Sequence, residues 1–407
     1  MALPTNSSGG AVPDQVTEES TVNSELREQR CGPGDRPFVF PTDVNVDLRV
    51  RELGRFKLKT GTDVGDGESS AYGSLLWRNI FGGAEMLSLN ASTGTRTRSA
   101  YSATFSVPVL SNPDRDVHSL EYSGMWRQLT GLYAGASPSV RAEAGDSVKS
   151  SIRHSFLRDR RDNRHLPQDG YVVRSNLEFA GVGPLGGDVA FAKGDVDVGG
   201  AIPITIPGVS GPSGISLGGG LRFGMLYPLA LGNPFGGKIQ PSRIPDRFQL
   251  GGPNDVRGFK LGGLGPHDGA DAVGGDMFAA GSLNLLLPVP YKGPESGLRF
   301  QLFLNGGRLV ALKNKGKGRN TGSPLLEPQT VRDGMVKAFK DIWFSGIPPS
   351  MAAGFGLVYG HPMARFELNF GLPLAMARGE QCTKGLQYQD FRDSEQSIRL
   401  AWAQEIF

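Results

Sequence analysis

The stretch Tyr101-Ser-Ala-Thr-Phe-Ser-Val107 alternates apolar and polar side chains at every step. A period of two is typical of a β-strand with one face in apolar surroundings and one face in polar surroundings. The same alternation recurs on both sides of this stretch, almost to the end of the chain. Further examples are Val44–Val50, Leu120–Trp126, Ile152–Phe156, Tyr171–Phe179, Ile215–Met225, Leu298–Leu304 and Arg365–Phe370. The pattern predicts an all-β protein.

Counting such segments between turn signals gives about 14 strands of roughly 10 residues each between Arg55 and about Ala375. So many long strands would leave an exposed sheet edge unless the sheet closes on itself or folds into a sandwich. The polar face is rich in Ser, Thr, Asn and Gly, which suits a watery lumen. We therefore expect a transmembrane antiparallel β-barrel of about 14 to 16 strands, with a soluble β-sandwich or solenoid as the alternative.

Composition excludes several other classes of protein. The 407 residues include 59 Gly and 28 Pro, which argues against a mostly helical chain. The 43 basic and 40 acidic side chains leave a charge of only +3, which does not favour nucleic acid as a partner. Two cysteines, Cys31 and Cys382, cannot build a disulfide framework. Residues 1–10 lack the features of a secretory signal, and the apolar stretch 283–290 is too short for a membrane helix.

Catalytic signatures match only superficially. Gly181–Gly186 fits a dinucleotide pattern but precedes a strand instead of a helix, so it is interpreted as a hairpin turn. Gly232–Lys238 resembles a phosphate-binding loop, yet Ile239 replaces the required Ser or Thr. The five histidines stand singly, without metal-ligand spacing. The sequence therefore predicts no enzyme, no catalytic residues, no metal site and no cofactor.

Two connections are unusually long, at about 227–274 and 308–349. The second is expected to be a solvated basic loop, with a short helix near 331–343 as the alternative. A cluster formed by Arg158, Arg160, Arg161 and Arg164 is interpreted as a hydrated hairpin tip, with contact to lipid headgroups as the alternative.

The first long connection contains Phe248-Gln-Leu-Gly-Gly-Pro-Asn-Asp-Val-Arg-Gly-Phe259. This phrase closely resembles the sixth-loop motif of the outer-membrane assembly family to which bacterial BamA belongs (bacterial surface antigen domain). It is most similar to the mitochondrial branch, the barrel subunit of the sorting and assembly machinery (SAM). Supporting matches are Gly274–Phe278, Phe303–Gly307 and Arg365–Phe370, and the resemblance covers about Val44 to Gln387.

The tip of this motif is Val256, Arg257, Gly258 and Phe259. An arginine presents fixed donors and stays charged, so one guanidinium can pin a loop that dips into a polar lumen. Gly258 permits a sharp turn, and Phe259 supplies an apolar anchor. The resemblance implies that Arg257 meets Asp276 and Asn305. Asp276 is expected to be the stronger partner, because it alone carries a charge.

Members of this family help β-barrel precursors fold into an outer membrane. The resemblance implies a weak seam between the first and last strands, at which a precursor strand pairs with exposed backbone. The edge strand is then Phe56, Lys57, Leu58, Lys59 and Thr60. The implied partners are β-barrel precursors, other SAM subunits and membrane lipid, in the mitochondrial outer membrane. A passive barrel pore, a soluble β-sandwich interaction protein and a non-functional truncated variant are the alternatives.

The sequence also suggests a division of the chain. Residues 1–43 are expected to be a flexible polar segment, 44–53 a remnant of the family's amino-terminal module, 54–390 the barrel, and 391–407 a divergent tail. Between Val109 and Val117 only a turn is found where the family has two further strands. Ile398, Leu400 and Trp402 alternate and could replace the closing strand, with a disordered or helical tail as the alternative.

Overall fold

A computed structural model describes residues 54–392, with short gaps. The gaps are 66–67, 96, 110–114, 130, 182–185, 206–212, 232–238, 291–292, 294–295, 313–326, 345–347, 362–363, 378 and 384. The expectations for 1–43, for 44–53 and for the alternation at 398–402 lie outside the described residues.

Fourteen strands form one continuous antiparallel sheet, and a short hairpin forms a separate pair. The sheet strands are β1 (Phe56–Gly65), β2 (Glu68–Arg78), β3 (Met86–Gly94), β4 (Thr97–Pro108), β5 (Asp116–Leu129), β6 (Gly145–Asp159), β7 (Gly170–Ala180), β8 (Phe191–Ile204), β9 (Ile215–Pro228), β12 (Met277–Pro288), β13 (Leu298–Val310), β14 (Ser350–His361), β15 (Ala364–Ala375) and β16 (Gly385–Arg392). The hairpin is β10 (His267–Asp268) with β11 (Asp271–Ala272). A single sheet of this size confirms the barrel fold and contradicts the sandwich alternative.

The alternation of side chains shows which face of the sheet points inward and which points outward. In β15, Glu367 and Asn369 are buried on the inner face, whereas Leu368 between them is 41% exposed on the outer face. Buried polar and exposed apolar groups reverse the rule for a water-soluble sheet. This reversal is typical of a barrel whose outer face meets lipid and whose inner face lines a polar lumen.

Every sheet strand pairs with its neighbour along the chain, except that β9 pairs with β12 across the long connection. Strand β4 pairs directly with β5. This agrees with the expectation that the connection 109–117 is only a turn, without the two further strands of the family. The last strand, β16, pairs with β15 and lies earlier than the alternation at 398–402. Within the described residues, β1 and β16 do not pair with each other, so the sheet is not closed by hydrogen bonds.

Antiparallel order places successive connections at alternate ends of the barrel. One end, called here the loop rim, carries the connections 229–276, 311–349 and 376–384 together with both helices, α1 (Pro138–Ala142) and α2 (Pro328–Trp343). The helix near 331–343 was the alternative to a wholly irregular loop, and the structure contains it. No helix in the described part of the chain is both long and apolar enough to cross a bilayer.

The opposite rim carries the arginine cluster of the β6–β7 connection. There Arg160 Nη2 lies 2.7 Å from Asp116 Oδ2, and Arg161 Nη2 lies 2.6 Å from Asp159 Oδ2. Both carboxylates are buried. The cluster therefore lies at a hairpin tip, as expected, but ion pairs with these two buried carboxylates hold all four of its guanidinium groups in place.

Candidate functional site

The described part of the β9–β12 connection, residues 239–276, is called here the lumen loop. It enters through a 3-10 turn at Ile244–Asp246 and then pairs with the start of β12 through the bridge Phe248↔Gly275. A second bridge, Leu250↔Leu264, folds the loop back on itself. The loop is therefore a compact layer inside the barrel.

An apolar cluster anchors this layer to the inner wall. The loop contributes four side chains that are almost fully buried, and the wall contributes four apolar side chains that point inward. The cluster consists of Leu250, Val256, Phe259 and Leu264 from the loop with Phe278, Ala280, Leu309 and Ala352 from the wall. Burial of this apolar area stabilises the inserted position of the loop.

Arg257 lies at the deepest part of the loop. Its Nη2 donates to Glu367 Oε2 at 2.9 Å, and its Nη1 donates to Asn284 Oδ1 at 3.3 Å. The guanidinium carbon lies 5.1 Å from the ring centre of Phe303. Glu367 also forms an ion pair with Arg365, whose Nη2 lies 2.6 Å from Glu367 Oε1. The buried carboxylate therefore lies between two guanidinium groups, an arrangement that compensates its loss of hydration.

Asn305 holds the backbone of Arg257. In the orientation that satisfies both the oxygen and the nitrogen of its side-chain amide, Asn305 accepts from the backbone N–H of Arg257 at 2.9 Å. The same side chain donates to the backbone carbonyl of Arg257 at 3.3 Å. It also donates to the carbonyl of Ala352 at 3.2 Å. The structure thus brings Asn305 to Arg257 as expected, although through the main chain and not through the guanidinium.

Asp276 does not meet Arg257, which corrects the expectation that it would be the stronger partner. Asp276 precedes the first residue of β12, at the loop rim, whereas Asn284 lies eight residues further along that strand. At about 3.4 Å per residue the separation is roughly 27 Å. The charged partner at the depth of Arg257 is Glu367.

Asp276 instead holds the entrance of the lumen loop. Its carboxylate accepts from the Ser242 hydroxyl and from the amide of Leu312 at 2.8 Å, and Arg247 Nε lies 3.9 Å away. These contacts join the beginning of the loop to the β13–β14 connection. Asp276 is therefore a structural anchor at the rim.

Gly258 is required by two independent features of its position. Its φ of +88° lies in the region that favours glycine, and a Cβ there would lie 2.7 Å from the Cβ of Ala352. Any other residue would strain the backbone and collide with the wall. The sharp turn expected at Gly258 agrees with this geometry.

The tip also pairs with the segment that leads into the last strand. Phe259 forms a bridge with Cys382, and the amide of Thr383 donates to the carbonyl of Gly258 at 3.0 Å. The amide of Lys260 donates to Gln381 at 3.1 Å. Backbone hydrogen bonds therefore connect the motif to the residues immediately before β16.

A second charged anchor, which the sequence analysis did not identify, lies at Asp246. This buried carboxylate accepts from Arg127 at 3.3 and 3.1 Å and from Lys149 Nζ at 3.2 Å. Lys193 Nζ donates to the Asp246 carbonyl at 2.8 Å and lies 4.3 Å from the ring centre of Phe248. The lumen loop is thus bound to β5, β6 and β8 at this end and to β12, β13 and β15 at its tip.

Two sequence signals could have identified these anchors. Glu367 is the one acidic residue of β15 and stands at a polar position of the alternation. Asp246 precedes the recognised motif by two residues, and basic side chains occupy polar positions of β5, β6 and β8. Neither signal assigns a partner without the fold.

The expected edge strand coincides with β1. Phe56, Lys57, Leu58, Lys59 and Thr60 pair with Trp77 through Gly73 of β2, and within the described residues the other edge of β1 is unpaired. No group of three or more His, Cys, Asp or Glu in the described chain is arranged to hold a metal ion.

Comparison with known proteins gives consistent matches. The Omp85 superfamily domain matches residues 112–389. The SAM50-like protein of Schizosaccharomyces pombe is 36% identical over an alignment of 383 residues, which covers 85% of this chain and 74% of that protein. The sorting and assembly machinery component 50 homologue of Bos taurus is 32% identical over 388 residues, covering 86% of this chain and 75% of that protein.

Among solved structures, BamA from Haemophilus ducreyi lacking POTRA domains 1–3 is similar in fold. The TM-score is 0.50 at 12% sequence identity, and the match covers 84% of this chain and 71% of that chain. At this identity the likeness concerns the fold alone.

Proposed function

The chain belongs to the Omp85 superfamily, as a SAM50-type β-barrel assembly component of the mitochondrial outer membrane, and from this premise we propose that it inserts β-barrel precursors through a seam between β1 and β16. The proposed substrates are unfolded barrel precursors. Other subunits of a sorting and assembly complex and the surrounding lipid are the proposed partners. The proposal concerns the barrel segment 54–390.

One observation carries the proposal: within the described residues 54–392, β1 and β16 each pair on one side only. An unpaired strand edge in lipid leaves amide and carbonyl groups without partners, which is costly. A precursor strand that adds to this edge satisfies those groups and acquires its own register. The seam is therefore a template that lowers the free energy of the first inserted strand.

The lumen loop has a supporting role in this proposal. It binds the inner wall on β5, β6 and β8 through Asp246 and on β12, β13 and β15 through its tip. It can therefore hold the two halves of the sheet together while the seam is open. The backbone pairing of Phe259 with Cys382 sets the position of the residues that lead into β16.

A passive pore is the weaker alternative. Its conduction would need an open lumen, whereas the tip of the loop is packed in an apolar cluster and bound by a buried ion pair. No observation in the described residues favours the pore.

Site-specific crosslinking tests the seam. Single cysteines at Phe56, Leu58 and Thr60 should form disulfides with cysteines in the last strand of an arrested precursor. Val196→Cys in β8 is the control, because Val196 is also an exposed outer-face residue, at 41%, but lies in a strand that is paired on both sides. Equal crosslinking at β1 and β8, or none at β1, would contradict the proposal.

A second experiment separates insertion from conduction. Arg257→Ala should impair assembly of a radiolabelled precursor in isolated mitochondria, because the loop loses its ion pair with Glu367. Normal assembly together with altered conductance would favour the pore.

A further inference from the structure

Strand parity shows which surface of the barrel α2 covers. In β12 the even-numbered side chains point into the lumen, since Phe278 contacts the lumen loop and Asn284 binds its arginine. The odd-numbered side chains therefore point outward, and Leu283 is 48% exposed there. Met277 has the same outward parity but is only 2% exposed. Something other than lipid covers the outer wall at Met277.

Helix α2 provides that cover. Its Met335 and Ala338 pack on Met277, together with Phe223 and Val310 from the adjacent strands. Val310 pairs with Met277, and Phe223 pairs with Ala279, the next outward-facing residue of β12. Paired residues point to the same face of a sheet, so all the wall residues under α2 lie on the outer face. The helix therefore lies against the outer wall at the loop rim, where the wall leaves the bilayer.

A second side of α2 is also apolar, and no residue of the described part of the chain covers it. Val336, Phe339 and Trp343 are 51%, 46% and 59% exposed, and the two rings lie 6.4 Å apart. At about 100° per residue these side chains lie roughly 80–140° around the helix axis from Val331, which faces the barrel. The helix thus has a barrel-facing side, an exposed apolar side and a polar side.

The direction of the exposed apolar side follows from Gly334. A Cβ on Gly334 would lie 3.0 Å from the side chain of Leu312, which follows the end of β13 and so lies beyond the rim. Gly334 is roughly opposite the exposed apolar side around the helix axis. That side therefore faces away from Leu312 and from the chain that lies beyond the rim.

We propose that α2 is an interfacial membrane helix, with Val336, Phe339 and Trp343 inserted at the boundary between lipid headgroups and acyl chains. The exposed apolar side continues the lipid-facing surface of the wall, and aromatic residues prefer this depth. Lys340 borders that side and Arg332 lies on it one turn before Val336, and such long basic side chains place their charge at the level of lipid phosphates. The helix would fix the height of the loop rim relative to the membrane surface.

Depth-dependent fluorescence quenching tests this proposal. The full chain with Trp77, Trp126 and Trp402 replaced by Phe keeps Trp343 as its one fluorophore. It is reconstituted into phosphatidylcholine vesicles with or without brominated acyl chains. The matched control replaces all four tryptophans by Phe and introduces Asp333→Trp on the polar side of the same helix.

Bromolipid quenching should be at least about twofold stronger for Trp343 than for the tryptophan at 333, and iodide quenching should be weaker. Equal quenching at both positions, or a Trp343 that iodide reaches freely, would overturn the proposal and leave a protein partner as the occupant of this side.

Val336→Trp in the tryptophan-free background is a second probe of the same side. This variant replaces the Trp343 probe if the chain that carries Trp343 alone fails to refold. Refolding is checked by the change in gel migration between unheated and heated samples. Because vesicles contain no other subunit or precursor, the outcome is independent of the insertion activity.

Discussion

Glu367 carries the charge that holds two guanidinium groups inside the barrel. Its carboxylate lies 2.9 Å from Arg257 and 2.6 Å from Arg365, and the Asn369 amide donates to it at 2.8 Å. A buried ion is stable only when such partners replace its water. The position of the loop tip therefore depends on one side chain of β15.

Glu367→Gln should destabilise the barrel by about 2–3 kcal/mol, because two buried cations lose their counter-ion while side-chain volume is preserved. Urea unfolding of the refolded protein in detergent micelles measures this change. Limited proteolysis should show faster cleavage within the lumen loop.

Glu121→Gln is the matched control. Glu121 is another carboxylate of the wall, but it is more exposed and its distance to Arg153 is 3.6 Å. It should change stability by less than about 1 kcal/mol. Equal effects of the two substitutions would show that the loop tip does not depend on Glu367.

Gly258→Ala should cost about 2 kcal/mol or more, because a positive φ and a collision with Ala352 add together. Gly269→Ala is the control, since Gly269 has a φ of +64° but open space around it. Gly269→Ala should lower the free energy of unfolding by roughly 1 kcal/mol, the strain of a positive φ alone. Urea midpoints of the two variants separate the terms, and equal midpoints would contradict the close packing of the tip.

At the scale of the element, the lumen loop is bound near its entrance and at its tip by charges of opposite sign. Asp246 presents an anion to a cationic wall, and Arg257 presents a cation to the carboxylate of Glu367. The loop therefore cannot be inserted in the reverse direction without placing like charges together.

Asp246→Asn should destabilise the protein by about 1–2 kcal/mol, because Arg127 and Lys149 lose their shared carboxylate in a partly hydrated site. Combining it with Arg127→Gln in a double-mutant cycle should give a coupling energy of about 1 kcal/mol or more. Additive effects in urea unfolding would show that the two side chains do not interact in the folded barrel.

Charged side chains lie along the edge strand β1. Lys57 and Lys59 alternate with Phe56 and Leu58, and charged side chains on an edge oppose uncontrolled pairing with other chains. The proposed insertion role requires an edge that is open to a precursor strand and resists such pairing.

At the scale of the whole molecule, the part of the sheet that the structure describes ends in two strands, β1 and β16, each paired on one side. Amide hydrogens of β1 and β16 should exchange about 100-fold faster than those of β8 and β9, which are paired on both sides. Hydrogen-exchange mass spectrometry in lipid nanodiscs measures the difference. Protection of β1 equal to that of β8 would indicate a closed barrel and would remove the basis of the seam.

The sequence by itself determined the strands and the position of the motif Val256 to Phe259, because alternation and turn residues act over a few neighbours. It predicted a barrel but left a β-sandwich as the alternative, and the single sheet decides between them. It also predicted that Arg257 would meet acceptors on the inner wall, and Asn305 lies there. It pointed to Asp276 and not to Glu367 as the charged partner, since the depth at which Arg257 meets the wall cannot be read from local pattern.

Only the tertiary structure decided the depth of the loop tip, and with it the pairing of Arg257 with a residue 110 positions away. The same holds for the Asp246 anchor, for the outer-wall position of α2 and for the unpaired edges of β1 and β16. The physical reason is that periodicity fixes which face a side chain occupies, whereas its partner depends on register and on how far a loop descends into the lumen.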